Sequence, residues 1–405
     1  MPSQPPDGSP SPADESLPDA ARAEVGSRPL GFYLHVPYCT TRCGYCDFNT
    51  YTSAELGSEP GTGQDSYLAA MLAEIELAGR VLGDAAPPVG TIFVGGGTPT
   101  LLPPESLITM ITAIKDRFGL LPDAEITTES NPESIGPDGL ERLRDGGFNR
   151  ISFGMQSAVE QVLATLDRVH SPGRAGRTVA EARAAGFDDV SLDLIFGTPG
   201  ESLADWRTSL ETALAAEPDH VSAYALIVET GTRLATRIRR GELAQPDDDD
   251  LADKYLLAEE LLTGAGLSAY EISNWARTPA HRCRHNLGYW RGDHWWGVGP
   301  GAHSHVGGVR WWNVRHPAAY TGRLAAGEAP AQARELLDDH DRRVERVLLE
   351  LRLADGLDPD TLTASESSRV ADLVDRELIV ITDGRLVLTL RGRLLADGVV
   401  RDLLD

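Results

Sequence analysis

Cys39, Cys43 and Cys46 stand in the run Tyr-Leu-His-Val-Pro-Tyr-Cys-Thr-Thr-Arg-Cys-Gly-Tyr-Cys-Asp-Phe, a C-x3-C-x2-C spacing on a loop directly after a strand-like stretch. Three thiolates on one short loop can hold three irons of a cubane [4Fe–4S] cluster, because Cys thiolate is the usual ligand of such clusters. The missing fourth thiolate leaves one iron open to a small molecule. A closed zinc site wants four protein ligands, and the only other cysteine, Cys283, lies more than two hundred residues away. Three clustered cysteines with one distant partner also make a poor disulfide framework. The spacing therefore favours an iron–sulfur cluster over zinc or a disulfide.

Further candidates stand at the ends of β-rich runs. Gly95-Gly96-Gly97-Thr98-Pro99-Thr100 follows one such run, and glycines there let the backbone approach a ligand closely. Glu129, in Glu-Ser-Asn-Pro, ends another run and turns straight into a loop. Gln156 lies just beyond Arg150–Phe153, and Arg168, in Leu166-Asp167-Arg168-Val169-His170, offers a guanidinium that could pair bidentately with a carboxylate. Asp193 sits inside the apolar run Leu192-Asp193-Leu194-Ile195-Phe196, where a carboxylate requires a ligand or an internal partner. A second constellation is Cys283-Arg284-His285-Asn286-Leu287-Gly288-Tyr289-Trp290, followed by Trp295, Trp296 and Gly297-Val-Gly-Pro-Gly-Ala-His-Ser304. Read from residues alone, its aromatics cap an open barrel and His285 is a hydrogen-bonded structural residue. Cys283 reads as a small buried hydrophobe.

The elements that must position these groups follow from periodicity. Strand-like runs occur at Phe32–Val36, Thr91–Val94, Glu125–Glu129, Arg150–Phe153, Val190–Phe196 and His220–Ala225. Helical patterns separate them at Asp65–Leu82, Pro104–Phe118, Pro137–Gly146, Ala158–Leu166 with Gly173–Ala185, Ser202–Ala215 and Asp249–Gly264. Strands alternating with amphipathic helices predict parallel βα units, and the chemistry of α/β barrels gathers at the C-terminal ends of the strands. Residues 1–28, poor in large apolar groups, read as a disordered tail. Residues 29–266 read as the barrel and 267–405 as a C-terminal domain, with Trp- and His-rich loops over 281–305. In 339–405, helices and one hairpin turning at Asp383-Gly384 suggest a winged-helix-like module. That segment is not strongly basic, so packing against the barrel is expected of it rather than DNA binding.

Composition sets the outer bounds. Four cysteines in 405 residues suit a reducing compartment, and no apolar run approaches the length of a membrane span. No secretory signal is visible, so a cytoplasmic location is expected. A formal net charge of −24 argues against non-specific nucleic-acid binding.

At this cysteine spacing the chain resembles the radical S-adenosylmethionine (SAM) superfamily. From about Gly31 to the C-terminus it resembles, more narrowly, the HemN/HemW family of oxygen-independent coproporphyrinogen III dehydrogenases and heme chaperones. The resemblance implies an α/β fold: a partial (β/α)6 barrel with a C-terminal α+β, winged-helix-like module. It implies a [4Fe–4S] cluster on Cys39, Cys43 and Cys46 whose open iron chelates the amino and carboxylate groups of SAM. Tyr33, Gly96, Gly97, Thr98, Glu129, Gln156, Arg168 and Asp193, with Ala225, match SAM-contacting positions of the family. The His285-Asn-x-x-Tyr-Trp pattern matches the family motif whose histidine is implicated in heme binding, and a neutral imidazole is a good axial ligand for heme iron. Phe48 stands where the dehydrogenase has a further cysteine, and only 38 residues precede Cys39. Both departures point to the heme-chaperone branch, with delivery of heme to membrane-bound respiratory hemoproteins, and away from the alternative, radical decarboxylation of coproporphyrinogen propionates. A homodimer is compatible with this reading, and catalytic turnover is not required by it.

Overall fold

The computed structural model describes residues 8–168, 171 and 173–404. Six strands, β1 (Leu30–Val36), β2 (Val89–Gly96), β3 (Leu120–Ser130), β4 (Arg150–Gln156), β5 (Asp189–Phe196) and β6 (His220–Ala225), lie side by side in chain order, every neighbouring pair parallel. Helices intervene at Gln64–Leu82, Pro104–Phe118, Pro137–Asp145, Arg174–Ala184 and Leu203–Ala215, close to where the periodicity predicts them. The partial barrel expected from the sequence is thus the fold. Strand residues alternate by the two-residue period of a pleated strand. In Arg-Ile-Ser-Phe-Gly-Met-Gln, Ile151, Phe153 and Met155 are buried in the core, whereas Arg150, Ser152, Gly154 and Gln156 line the lumen.

The sheet does not stop at six strands. His294–Val298 adds a seventh parallel strand beside β1, in register from His294 opposite Leu30 to Val298 opposite Leu34. Beyond it His303–Val306, Val309–Asn313 and Ala331–Leu336 continue antiparallel, and Asn274–Ala276 with Ser268–Ala269 extend the far edge past β6. The stretch 281–305, read from the sequence as loops, is therefore a short helix, Arg284–Arg291, followed by strands. Its strands are short and bounded by Gly and Pro, and their pairing is non-local. Trp296 and Trp311 are buried, their rings edge-on at 4.9 Å.

Residues 8–28 also depart from the disordered tail expected of 1–28; residues 1–7 lie outside the described residues. Ser9–Pro10 pairs with the outer edge of Ala331–Leu336, and Leu17 and Ala21 join the main core. The Glu15 carboxylate is buried and accepts the Ala331 amide at 2.9 Å, while Glu24 pairs bidentately with Arg342 at 2.7 and 2.6 Å. The segment cannot bury enough apolar surface by itself. Its order comes from an unpaired sheet edge and a waiting cation.

The C-terminal module has its own core of Val347, Leu351, Leu373, Ile379, Leu386, Val399 and Leu403. Its hairpin, Ile379–Thr382 with Arg385–Leu388, turns at Asp383 (φ 51°) and Gly384 (φ 76°), the two left-handed residues that a type I′ turn demands. Among the described residues no helix is long and apolar enough to cross a membrane.

Candidate functional site

The loop that follows β1 is pinned from several sides. Gly97 N donates to Val36 O at 2.7 Å and Thr98 N to Tyr38 O at 2.8 Å, so the glycine run after β2 lies against the cysteine loop. A Cβ on Gly97 would press on the Tyr38 carbonyl and stand 3.0 Å from Cys39 Sγ; a side chain there would fill the space beside the thiol. Gly44, between the second and third cysteines, donates to Leu166 O at 3.1 Å and accepts from Leu234 N at 2.8 Å. Asn49 donates to Pro300 O and Arg315 O, and its own carbonyl pairs with His35 Nε2 at 2.9 Å. His35 Nδ1 in turn meets the Tyr33 hydroxyl at 3.0 Å.

All three thiols are free and half-buried, and they line both the barrel lumen and a groove outside the loop. Among the described residues no three His, Cys, Asp or Glu side chains converge tightly enough for one metal ion. Three thiols carried by one loop and facing one cavity are a donor set that suits an iron–sulfur cluster. Burial pushes the Cys39 thiol up and the Cys46 thiol up to about 12, so any metal these thiols took up would have to displace their protons.

Every site residue named from the sequence lines one cavity of about 870 Å³: Tyr33, the three cysteines, Gly96, Gly97, Thr98, Glu129, Gln156, Arg168, Asp193 and His285. Ala225 lines it too; Val169 and His170 of the Arg168 segment lie outside the described residues. Gly96 turns out of β2 at φ 114°, and its amide donates to Glu129 Oε2 at 3.1 Å. Burial, reinforced by the nearby Asp193 charge, pushes the Glu129 carboxyl up to about 8. Burial raises Asp193 as well, against the Ser152 hydroxyl, which lies 2.8 and 2.9 Å from its two oxygens. Gln156 adopts φ 64° where β4 slips register between Gly154 and Gln156, a left-handed residue at a bulge. Arg168 reaches the Gly154 carbonyl at 2.7 Å and Cys43 Sγ at 3.5 Å. A Cβ at Gly154 would stand 2.8 Å from Gln156 Nε2 and 3.0 Å from Arg168 Nη2, so that glycine makes room for both side chains.

His285 lies at the other end. Its Nδ1 meets Thr91 Oγ1 at 2.8 Å, beside Gly31, so it closes the N-terminal floor of the barrel. Gly31 and Val36 stand five residue steps apart along β1, about 16 Å at 3.3 Å per residue. Its Nε2 meets the Tyr289 hydroxyl at 2.8 Å, and its ring stacks on Phe93 with centroids 5.3 Å apart. Burial pushes its pKa down to about 3, so the imidazole is neutral. The helix Arg284–Arg291 is fastened by Glu125 of β3, whose carboxylate accepts Arg284 N at 2.9 Å and His285 N at 3.0 Å. Cys283 is buried with its thiol 3.6 Å from the same carboxylate. Both His285 nitrogens are thus hydrogen-bonded, as the reading from residues alone holds. Trp295 and Tyr289 pack edge-on at 4.8 Å next to it.

Sequence reasoning did not single out Arg150, Ser152, Ser191, His220, Ser222 or Tyr224, all of which line the lumen. A signal was present: they occupy alternate positions in otherwise apolar strands. Glu125 carried no comparable signal, because its partners come from a helix some 160 residues later.

Residues 33–213 match the Radical SAM superfamily model and residues 337–395 the HemN C-terminal domain. The chain is 54% identical to the heme chaperone HemW of Mycobacterium tuberculosis, over 94% of this chain and 96% of that protein. It is 33% identical to the heme chaperone HemW of Bacillus subtilis, over 91% of this chain and 97% of that one. Coproporphyrinogen III oxidase (HemN) of Escherichia coli, a radical SAM enzyme, superposes with a TM-score of 0.80 at 23% identity, covering 96% of this chain and 94% of that one. At that identity the likeness shows the fold.

Proposed function

The chain belongs to the heme chaperone HemW family of radical SAM proteins, and from that premise we propose that it binds heme and passes it to hemoproteins. The acceptors in this reading are membrane-bound respiratory hemoproteins met from the cytoplasm. The observation that carries it is relatedness along nearly the whole chain to two heme chaperones. Phe48, in place of a further cysteine, favours the chaperone over coproporphyrinogen decarboxylation.

The cofactor site is retained in this reading. Cys39, Cys43 and Cys46 hold a [4Fe–4S] cluster, which when bound supplies single electrons and an open iron. Gly96, Gly97 and Thr98 present backbone groups to the amino end of SAM, Arg168 faces its carboxylate, and Glu129 and Gln156 face its polar sugar, with Tyr33 and Asp193 beside them. His285 is the heme ligand that the family pattern suggests. Its imidazole has the right protonation state, being neutral at any physiological pH. Ligation requires Nε2 to leave the Tyr289 hydroxyl, a neutral hydrogen bond of about 1 kcal/mol, and the floor helix to open.

An anaerobic hemin titration of the cluster-loaded chain, followed in the Soret band, tests the reading. Saturable binding near one heme per chain is expected. Formation of protoporphyrinogen IX from coproporphyrinogen III would refute a chaperone-only role.

A further inference from the structure

Two polar groups near the floor of the lumen have no partner. Arg150 opens β4 and Gln156 closes it, so the guanidinium is carried about 20 Å down the strand from Gln156. Arg150 is 2% exposed and Thr127 0%, and both residues line the cavity. Arg150 Nη1 donates to the His281 carbonyl at 2.9 Å, with Asp189 Oδ1 3.7 Å away. Among the described residues Arg150 Nη2 has no hydrogen-bond partner, and neither has Thr127 Oγ1. Buried donors of this kind are rarely left unpaired, because the protein then bears their full desolvation cost.

The two donors are neighbours. Phe93, Thr127 and Arg150 are register partners across β2, β3 and β4, which puts Thr127 and Arg150 on adjacent strands about 4.8 Å apart. Asp189 is the partner of Arg150 on its other side, in β5. Phe93 carries the stacked His285 ring, two strands or about 10 Å from Arg150. Glu125 does not compete for the free edge of the guanidinium, since its oxygens already take Arg284 N and His285 N. A hydroxyl beside a permanent planar cation suits the two oxygens of a carboxylate.

We propose that Thr127 Oγ1 and Arg150 Nη2 form a carboxylate subsite beside His285, taken by a propionate of heme when the iron binds that histidine. This rests on the heme-chaperone reading and gives the ring an orientation, iron toward β2 and a propionate edge toward β4. Both donor atoms are sealed while the helix Arg284–Arg291 is shut, and Arg150 is tied to the His281 carbonyl just ahead of that helix. Opening the helix, which ligation requires, uncovers them, and the carboxylate then satisfies what the closed form leaves unpaired.

The test uses the full-length, cluster-loaded chain with two probes, hemin and hemin dimethyl ester, whose propionates carry no charge. The parent is expected to bind hemin about ten- to hundredfold more tightly than the ester, the order for one charge-assisted pair. Arg150→Gln should erase that preference by weakening hemin alone, and Thr127→Val should reduce it about threefold to tenfold. SAM binding, read by calorimetry, should stay parental in both variants, which separates this subsite from one for the SAM carboxylate. Should Arg150→Gln fail to fold, the parent's preference and the near-isosteric Thr127→Val carry the result. A parent that binds hemin and ester alike, or variants that keep the parental preference or weaken both probes equally, overturns the subsite and leaves the chaperone reading standing. A parent that takes up neither probe saturably overturns both.

Discussion

Glu125→Ala should unfasten the floor of the barrel without touching the cysteine loop. The carboxylate of Glu125 is 6% exposed and accepts the first two amides of the helix Arg284–Arg291, at 2.9 and 3.0 Å. Amides in the first turn of a helix have no partner within the helix, and a negative charge there also meets the positive end of the helix dipole. A hydrogen bond to a charged group contributes about 1.5–3 kcal/mol, and stranding a buried donor costs about 1–3 kcal/mol. Counting overlap between the two amides, the substitution is expected to cost about 2–4 kcal/mol locally. At 1.4 kcal/mol per decade, exchange of the amides in 284–291 should accelerate roughly 30- to 700-fold. Hydrogen exchange read by mass spectrometry, parent against variant, measures this directly. Glu105→Ala is the control, since its pair with Arg142 is more than 60% exposed on both sides and should change little. Unchanged protection of 284–291 in Glu125→Ala would refute the claim that this carboxylate holds the floor.

Alanine at Cys39, Cys43 or Cys46 should abolish stable iron and sulfide loading while Cys283→Ala retains it; Arg168→Ala should keep the iron yet weaken SAM binding, read by calorimetry. The buried carboxylates predict a pH dependence of stability. Burial raises Glu15 and Glu129 to about 8 and Glu74 and Glu201 to about 7, so the folded chain holds these protons more tightly than the unfolded one. Their stabilisation is full below the ordinary carboxylate range and lost as pH rises through 7–8, so Tm should fall from pH 6 to pH 9, and Glu15→Gln should flatten that fall. Loss of the paired carboxylates Glu24, Glu259 and Glu366, whose pKa values are lowered, sets the acid limit below the ordinary range. Arg342→Ala removes the bidentate partner of Glu24 and should free residues 19–25 by about 1 kcal/mol, roughly fivefold faster exchange.

The parts of the chain that agreed with their local pattern were legible beforehand. Six parallel strands, their helices and the Asp383-Gly384 hairpin follow from hydrophobic periodicity and turn chemistry, because each element's side chains face the same way that its sequence alternates. The cysteine spacing is equally local: one loop carries all three thiols. What escaped was non-local. The strand His294–Val298 exists because β1 has an open edge beside it, and residues 8–28 are ordered because Ala331–Leu336 and Arg342 await them. Neither segment states its partner.

The sequence by itself determined the barrel, the loop that carries the three cysteines and which polar side chains lie on one face of each strand, since these depend on spacings of two to four residues. Only the tertiary structure decided that the cysteines and His285 line one lumen from its two ends, and that Glu125 fastens the floor. Those relations depend on how six strands tilt and register around a common axis, a distance in space that no spacing along the chain encodes.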